Sequence, residues 1–311
     1  MLKRKLGKTD LQVAPLCLGG NVFGRQADEA QSQAVLDTYT KMGGNFIDTA
    51  DVYAQGQSET ILGRWMQARG NRSNLVVVSK VGMQMGPDPQ DQGLSRRHIE
   101  KSVEDSLRRL QTDYIDLYLA HRDDPNTPLE ETLETFTRLV EQGKVRYAGA
   151  SNYSAERLAA ALQVSDAHGY ARYACLEPRY NLVLRDGYAG ALEALCRAEG
   201  LGVITYSALG SGFLSGKYRR DAPLPATSRA EGVQRTYMND RGFAVLDAAE
   251  QVAKAHGATI AQVALAWQMA RPGITAPIAS ATSPEQVREL LGAADVQLTP
   301  EDIAALDATG R

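Results

Sequence analysis

The sequence has no long hydrophobic run and no block of basic residues beyond its short start, MLKRKLGK. No apolar stretch approaches the roughly 20 residues of a membrane-spanning helix, and none follows that start as a signal-peptide core would. We therefore expect a cytoplasmic protein without a membrane segment. The 34 basic and 37 acidic residues are spread along the chain, for a net charge of −3, which makes nucleic acid an unfavourable partner.

Cysteine is also scarce, with Cys17, Cys175 and Cys196 far apart and no CxxC pair. An odd number at this spacing argues against a disulfide framework and against a thiolate metal site. The glycine-rich motifs GxGxxG and GxxxxGK[ST] are absent as well, which disfavours a doubly wound dinucleotide fold and a P-loop fold. We predict buried free cysteines and no metal.

Hydrophobic residues make up 43% of the 311 residues, enough to bury a full core. Two short strand candidates, LKRKL and LQVAP, come first, and short apolar strand patterns then alternate with amphipathic helical patterns. The eight strand candidates are PLCLG, NFID, LVVVS, YIDLYLA, VRYAGA, YACLE, GVITYS and ITAPIA. This alternation predicts parallel βα units.

Eight such units predict an α/β fold, a closed (β/α)8 TIM barrel that forms a single domain over residues 1–311. The first two segments should form an N-terminal β-hairpin. Near the C-terminus we expect extra helices and a long loop, in Leu209–Arg241 and Thr259–Ala270, because long ordered insertions often carry function. Helix ends are predicted at several serine, threonine and glycine positions. Ser95 and Ser154 should be N-caps, and Thr259 and Ser283 should open capping boxes completed by Gln262 and Gln286. The left-handed ends should be Gly143, Gly169, Gly200 and Gly257.

Four ionisable side chains follow three consecutive strand patterns. Asp48 and Tyr53 follow the second, Lys80 the third and His121 the fourth. In (β/α)8 barrels the catalytic groups gather at the carboxyl ends of the strands. Period-two alternation should bring Lys80 and His121 to the mouth of the barrel, with His121 on the same face as Ile115 and the leucines that follow it.

These four residue types suggest proton transfer to an alkoxide. A lysine in a low dielectric needs a counter-charge, which Asp48 can supply. The ammonium should favour the phenolate of Tyr53 and lower its pKa from about 10, while His121 orients the carbonyl oxygen. Since no side chain can donate a hydride, a nicotinamide cofactor is implied.

The segments GGNFIDTADVY, VVVSKVG, YIDLYLAHRDD, GKVRYAGASNY, GVITYSALGSGFLSGKY and SPEQV resemble the aldo-keto reductases over nearly the whole chain. The resemblance implies an NADP(H)-dependent oxidoreductase that reduces small aldehydes and ketones, with Tyr53 as proton donor. It also implies a set of cofactor contacts, running from the nicotinamide to the adenosine end: Ser151, Asn152, Glu177, Tyr206, Ser207, Leu209, Lys217, Arg229, Ser280, Thr282, Gln286 and Glu289.

Three positions depart from the family pattern. Glu177 stands where many members have a Gln that contacts the carboxamide, and Leu290 where an Asn often contacts adenine. The segment ASATSPEQ lacks the cation often found near the 2′-phosphate, which leaves Arg229 and Arg288 as candidates. The expected preference for NADP over NAD therefore depends on the resemblance alone.

Two other functions stay open on the sequence. One is a nicotinamide-sensing binding module with little turnover, as in the potassium-channel β subunits that share this barrel. The other is a metal-dependent barrel hydrolase or isomerase using His121, Asp123 and Asp124, although no helix-spaced pair of imidazoles supports it. Each of the four residues alone has an ordinary structural explanation, but their joint position at three consecutive strand ends favours catalysis.

Overall fold

The computed structural model describes residues 2–309, so Met1, Gly310 and Arg311 at the ends of the predicted domain lie outside the described residues. Within this range the strands are β1 (Arg4–Lys5), β2 (Gln12–Val13), β3 (Cys17–Gly19), β4 (Phe46–Asp48), β5 (Val76–Val81), β6 (Ile115–Ala120), β7 (Val145–Ser151), β8 (Cys175–Glu177), β9 (Gly202–Thr205) and β10 (Ile274–Ala279). Strands β3 to β10 are parallel and close into a barrel in the order β10-β3-β4-β5-β6-β7-β8-β9. The predicted (β/α)8 barrel is confirmed.

The barrel strands alternate with helices as predicted. The helices are α1 (Glu29–Lys41), α2 (Gln57–Arg69), α3 (Arg96–Leu110), α4 (Leu129–Glu141), α5 (Ala155–His168), α6 (Ala191–Glu199), α7 (Ala230–Tyr237), α8 (Asp240–His256), α9 (Ile260–Met269), α10 (Pro284–Leu291) and α11 (Pro300–Thr309). No helix in residues 2–309 is both long enough and apolar enough to cross a membrane.

The barrel interior is filled by inward-facing apolar side chains, and its top layer is polar. Phe46 of β4 and Val78 of β5 belong to the inner cluster. The next residues on the same faces, two positions later, are Asp48 and Lys80. On β6 the predicted inward face is wrong at one position, because Ile115 packs in the outer layer between barrel and helices.

The antiparallel hairpin β1–β2 closes the other end of the barrel. Leu6, Leu11 and Val13 are buried and join the inner cluster. Gly7 connects the two strands with φ +51°, and a Cβ there would lie 2.3 Å from the backbone nitrogen of Gly202 in β9. The hairpin therefore seals the amino-terminal end and leaves the carboxyl ends of the strands open for a site.

The predicted helix ends occur with one correction. Ser283 accepts a hydrogen bond from the backbone N–H of Gln286, but the Gln286 side chain does not complete the capping box. Its Oε1 instead accepts from the backbone N–H of Thr282 at 2.8 Å. The other predicted caps are formed by Ser95, Ser154 and Thr259, and by left-handed Gly143, Gly169, Gly200 and Gly257.

The long segment after β9 is ordered by buried aromatic rings. It contains a 3-10 helix (Gly210–Ser215), then α7 and the start of α8. The rings of Phe213 and Tyr237 stack with centroids 5.6 Å apart, and both side chains are buried. This packing holds the segment beside the carboxyl ends of β9 and β10. The three cysteines are buried and free, as expected.

Candidate active site

The centre of the site is the fully buried ammonium of Lys80, at the inward-facing end of β5. It donates to the Asp48 carboxylate, to the backbone carbonyl of Thr49 at 3.1 Å, and to the Tyr53 hydroxyl oxygen at 3.2 Å. A lysine ammonium has three hydrogens. All three are therefore used, and they join Asp48 and Tyr53 through one cation.

Tyr53 is positioned by a tight turn after β4. It begins a 3-10 helix (Tyr53–Gly56) in which Ala54 and Gln55 are left-handed, with φ of 49° and 55°. This sharp reversal brings the tyrosine back over the barrel mouth. Its ring lies edge-on to the His121 ring, with centroids 6.0 Å apart and an interplanar angle of 80°. The structure thus brings together all four side chains predicted from the strand ends.

The predicted net lowering of the Tyr53 pKa is wrong. Burial raises the pKa of this phenol above its ordinary value, and the Lys80 ammonium offsets only part of that effect. Asp48 and Glu177 raise the pKa further, because their negative charges oppose the phenolate. The site therefore holds Tyr53 as a protonated phenol at neutral pH, which is the form that can donate a proton.

His121 stays neutral over the physiological range. Burial is the largest cause, and the charges of Lys80 and Arg122 add to it, so that the pKa of the imidazole falls to about 3. Its Nδ1 has no hydrogen-bond partner among the described residues. A neutral imidazole can donate to a carbonyl oxygen without titrating between pH 5 and 8.

Glu177 is part of this cluster in a way that the sequence reasoning missed. It lies on β8 two residues after the inward-facing Cys175, is 2% exposed, and places Oε2 3.4 Å from Lys80 Nζ. Burial and then the charge of Asp48 raise the pKa of Glu177 to about 8. Burial also raises the pKa of Asp48, against the opposing effect of Lys80. Period-two alternation from Cys175 was the signal that could have revealed this contact.

A cleft of about 790 Å³ runs from the barrel mouth along the segment after β9, the end of β10 and α10. Asp48 and Tyr53 lie at one end of its lining, which also includes nine of the predicted cofactor contacts: Tyr206, Ser207, Leu209, Lys217, Arg229, Ser280, Thr282, Gln286 and Glu289. Leu290 lines it too. Its size is within the range of small-molecule and cofactor sites.

Three cations line the cleft. Lys217 and Arg229 were predicted, whereas Arg25, from the loop after β3, was not. Burial and then repulsion from Arg25 lower the pKa of Arg229. Arg288 is not part of this lining and instead pairs with Glu285 at 3.2 Å, so the expectation that it supplies a cation is not supported.

The remaining predicted contacts, Ser151, Asn152 and Glu177, belong to a chain of hydrogen bonds that begins at Tyr206. The Tyr206 hydroxyl donates to Asn152 Oδ1 at 2.7 Å. Asn152 Nδ2 donates to the backbone carbonyl of His121 and to Ser151 Oγ, both at 2.9 Å. Ser151 Oγ in turn donates to the backbone carbonyl of Glu177 at 2.9 Å. These contacts fix the side chains next to the proposed nicotinamide end.

The acidic residues after His121 are engaged elsewhere. Asp123 pairs with Arg157 at 2.8 Å. Asp124 accepts hydrogen bonds from the backbone N–H of Leu94 at 2.8 Å and from Thr127 Oγ1 at 2.7 Å. In the part of the chain that the structure describes, no group of three or more His, Cys, Asp or Glu side chains could hold a metal ion. The structure therefore gives the metal-dependent alternative no ligand set.

The fold and the site together define a (β/α)8 barrel with a buried tyrosine, lysine and carboxylate centre beside an elongated cationic cleft. The model of the Aldo/keto reductase family matches residues 15–311, so this chain belongs to the aldo/keto reductase family. Membership supports an oxidoreductase.

Curated relatives of the chain carry the name of a channel subunit. The chain is 34% identical to a "Probable voltage-gated potassium channel subunit beta" of Oryza sativa subsp. japonica, over 99% of this chain and 96% of the relative. A protein with the same name in Arabidopsis thaliana is also 34% identical, over 96% and 94%. A "Putative voltage-gated potassium channel subunit beta" of Schizosaccharomyces pombe is 34% identical, over 98% and 92%.

Proposed function

We propose that this protein is an NADP(H)-dependent oxidoreductase that reduces aldehydes and ketones to alcohols, with Tyr53 as the proton donor. The observation that carries the proposal is the 3.2 Å hydrogen bond from Lys80 to the Tyr53 hydroxyl oxygen at the end of the cleft. Because Lys80 occupies that oxygen as a donor, the phenol's own hydrogen is available to a substrate.

The side chains of the site have distinct roles in the proposed proton transfer. Tyr53 donates its hydrogen to the oxygen of the carbonyl as that oxygen gains negative charge. The Lys80 ammonium stabilises the phenolate that forms, and Asp48 keeps Lys80 in place. The neutral His121 imidazole directs the carbonyl oxygen towards Tyr53. A bound nicotinamide supplies the hydride.

The cleft suits a dinucleotide with several phosphates. Arg25, Lys217 and Arg229 place positive charge along it, and such side chains neutralise phosphate by charge-assisted hydrogen bonds. Tyr206 offers an aromatic face near the cluster, while polar side chains of α10 and of the loop between β10 and α10 would contact the adenosine end. Three cations exceed the number needed for a pyrophosphate alone, which supports NADP over NAD.

The first test is to titrate the purified protein with NADPH and with NADH, and then to measure turnover of a panel of reactive aldehydes and ketones. We expect tighter binding of NADPH and consumption of its absorbance with at least one aldehyde. A protein that binds neither cofactor and reduces no compound of the panel would contradict the proposal.

Arg229→Ala should weaken NADPH binding by about tenfold or more, because a charge-assisted hydrogen bond contributes roughly 1.5–3 kcal/mol. NADH binding should change less if Arg229 contacts the additional phosphate. The matched control is Arg288→Ala, whose guanidinium pairs with Glu285 outside the cleft lining. Equal losses in the two variants would count against the cationic cleft as the phosphate site.

The second candidate function is a nicotinamide-binding module with little turnover. The names of the three relatives favour it, because they describe channel subunits. The same experiment separates the two candidates. Tight cofactor binding without turnover of any carbonyl in the panel would favour the binding module.

A further inference from the structure

The position of Glu177 raises a question of charge balance around Lys80. In the barrel order, β8 is separated from β4 by three strands in either direction, so Glu177 and Asp48 approach Lys80 from opposite walls. Both carboxyl groups are buried, at 2% exposure each. If both were ionised, one buried ammonium would face two buried negative charges, and the cluster would keep an uncompensated charge.

The hydrogen bonds around Lys80 favour Asp48 over Glu177 as the ionised carboxyl group. The three hydrogens of Lys80 go to Asp48, Thr49 and Tyr53. None is left for Glu177, and its Oε2, although 3.4 Å from Lys80 Nζ, has no hydrogen-bond partner among the described residues. A buried carboxylate oxygen without a donor is costly, whereas a protonated carboxyl group needs only an acceptor. Glu177 and Asp48 both lie against the same ammonium, and each carboxyl group affects the pKa of the other, so Asp48 is placed to be that acceptor.

We propose that Glu177 is a positioning residue that carries a proton and donates it in a hydrogen bond to Asp48, which keeps the cluster around Lys80 electrically neutral. This inference rests on the proposed function. It extends that function by making the ionisation of Glu177 the event that switches the site off at alkaline pH. When Glu177 loses its proton, the added negative charge lies beside Tyr53 and makes the phenol a weaker acid.

The direction of this effect agrees with the environment of Glu177. Burial and the nearby Asp48 raise its pKa to about 8, and the charge of Glu177 raises the pKa of Tyr53. No other group facing it is expected to titrate near that pH, since its ionisable neighbours are an ammonium, a paired carboxylate, two phenols and two buried thiols. These neighbours are Lys80, Asp48, Tyr53, Tyr206, Cys17 and Cys175.

The test combines a spectroscopic measurement that needs no turnover with a pH profile. Infrared difference spectra of the cofactor-free protein should show a protonated carboxyl band near neutral pH that disappears above pH 9. Part of this band should come from Asp51, whose carboxyl pKa is also raised to about 8. The Glu177 part should shift when only glutamate is labelled with carbon-13, and Glu177→Gln should remove that part alone. The isotope experiment uses the wild-type chain, so it remains decisive even where the variant folds poorly.

The pH profile of kcat/KM should show the effect of Glu177 ionisation on the reaction. For wild-type protein we expect kcat/KM for aldehyde reduction to fall roughly tenfold between pH 7 and pH 9, as for one ionisation with a pKa near 8. Glu177→Gln should vary less than about twofold over that range. The matched control is Asp51→Asn. Asp51 has a carboxyl pKa that burial also raises to about 8, but its carboxyl oxygens have no hydrogen-bond partner among the described residues and so do not bind the Lys80 ammonium. This variant should therefore keep the alkaline fall.

The outcomes separate this proposal from the proposed function. Identical carboxyl bands in wild-type protein and Glu177→Gln, or a band that glutamate labelling does not shift, would overturn the assignment of the proton to Glu177. An alkaline fall that persists in Glu177→Gln would overturn its role at the site. A titrating Glu177 band in a protein that reduces no carbonyl would uphold the protonation and refute the reductase function.

Discussion

At the scale of single residues, the account depends on how one buried ammonium is shared. Lys80 is fully buried, so its hydrogen bonds to Asp48, Thr49 and Tyr53 set the orientation of the site. The same interactions keep Asp48 ionised and leave Glu177 protonated. Catalytic geometry and stability are therefore coupled through this side chain.

Lys80→Met should destabilise the protein in a pH-dependent way. Without the ammonium, Asp48 and Glu177 can remain buried only as neutral acids, so folding binds protons and stability falls as pH rises. We expect a loss of roughly 3–5 kcal/mol at pH 7, the usual cost of breaking a buried ion pair, and a smaller loss at pH 5. Urea unfolding at several pH values measures this. In the double variant Lys80→Met with Asp48→Asn, part of the loss should be recovered, whereas a loss independent of pH would contradict the assignment.

The sequence predicted which four residues meet but not how they titrate. Strand ends and period-two alternation place Asp48, Lys80 and His121, because these depend on local geometry. The pKa of Tyr53 depends on how completely the folded protein excludes water, and the contact between Glu177 and Lys80 crosses the barrel. Both are properties of tertiary packing, which the spacing of residues does not encode.

At the scale of secondary-structure elements, one end of the barrel carries the site and the opposite end is closed. The polar ends of β4, β5 and β8 form the site, and the hairpin β1–β2 closes the opposite end with buried apolar side chains. The strands and the hairpin were predictable because their apolar alternation and turn residues are local signals. The hydrogen bond from the Thr282 backbone N–H to the Gln286 side chain was not predictable. The backbone N–H of either Thr282 or Ser283, the two residues before α10, could donate to that side chain.

Gly7→Ala should lower the free energy of unfolding more than the same substitution at a left-handed glycine with free space around it. At Gly257, which ends α8 with φ +61°, an added Cβ has nothing within 4 Å among the described residues, so Gly257→Ala should cost about 1–2 kcal/mol from backbone strain alone. At Gly7 the same strain is joined by a clash with the backbone of Gly202, which should add roughly 1–3 kcal/mol. Urea unfolding measures the stability of both variants. If Gly7→Ala and Gly257→Ala lost the same free energy of unfolding, the hairpin would not pack tightly against β9.

At the scale of the whole molecule, buried acids determine how stability responds to pH. Burial raises the pKa of both Asp51 and Glu177 to about 8, far above the values near 4 expected in an unfolded chain. Both groups hold protons in the folded state that they release on unfolding. The stability that they contribute is fully present below about pH 4 and is lost as pH rises towards 8.

We therefore expect the free energy of unfolding to decrease between about pH 5 and pH 8. Each retained proton contributes a slope of up to about 1.4 kcal/mol per pH unit. Asp51→Asn and Glu177→Gln should each reduce the slope. Together they should leave mainly the opposite contribution of His121, whose lowered pKa makes stability rise with pH below about 6.5. Urea unfolding across this range measures the slope. A stability that rises over the same interval in wild-type protein would contradict the burial of two neutral acids.

The most direct test of the central claim is rapid mixing of the NADPH-loaded protein with a reactive aldehyde while nicotinamide absorbance is followed. Tyr53→Phe should bind NADPH within about twofold of wild type, because only the hydroxyl is removed. Its reduction rate should fall by about 10²–10⁴-fold, the usual contribution of a general acid. The control Tyr114→Phe, on a tyrosine whose ring stacks under Arg72, should behave as wild type. Undiminished reduction by Tyr53→Phe would contradict the account.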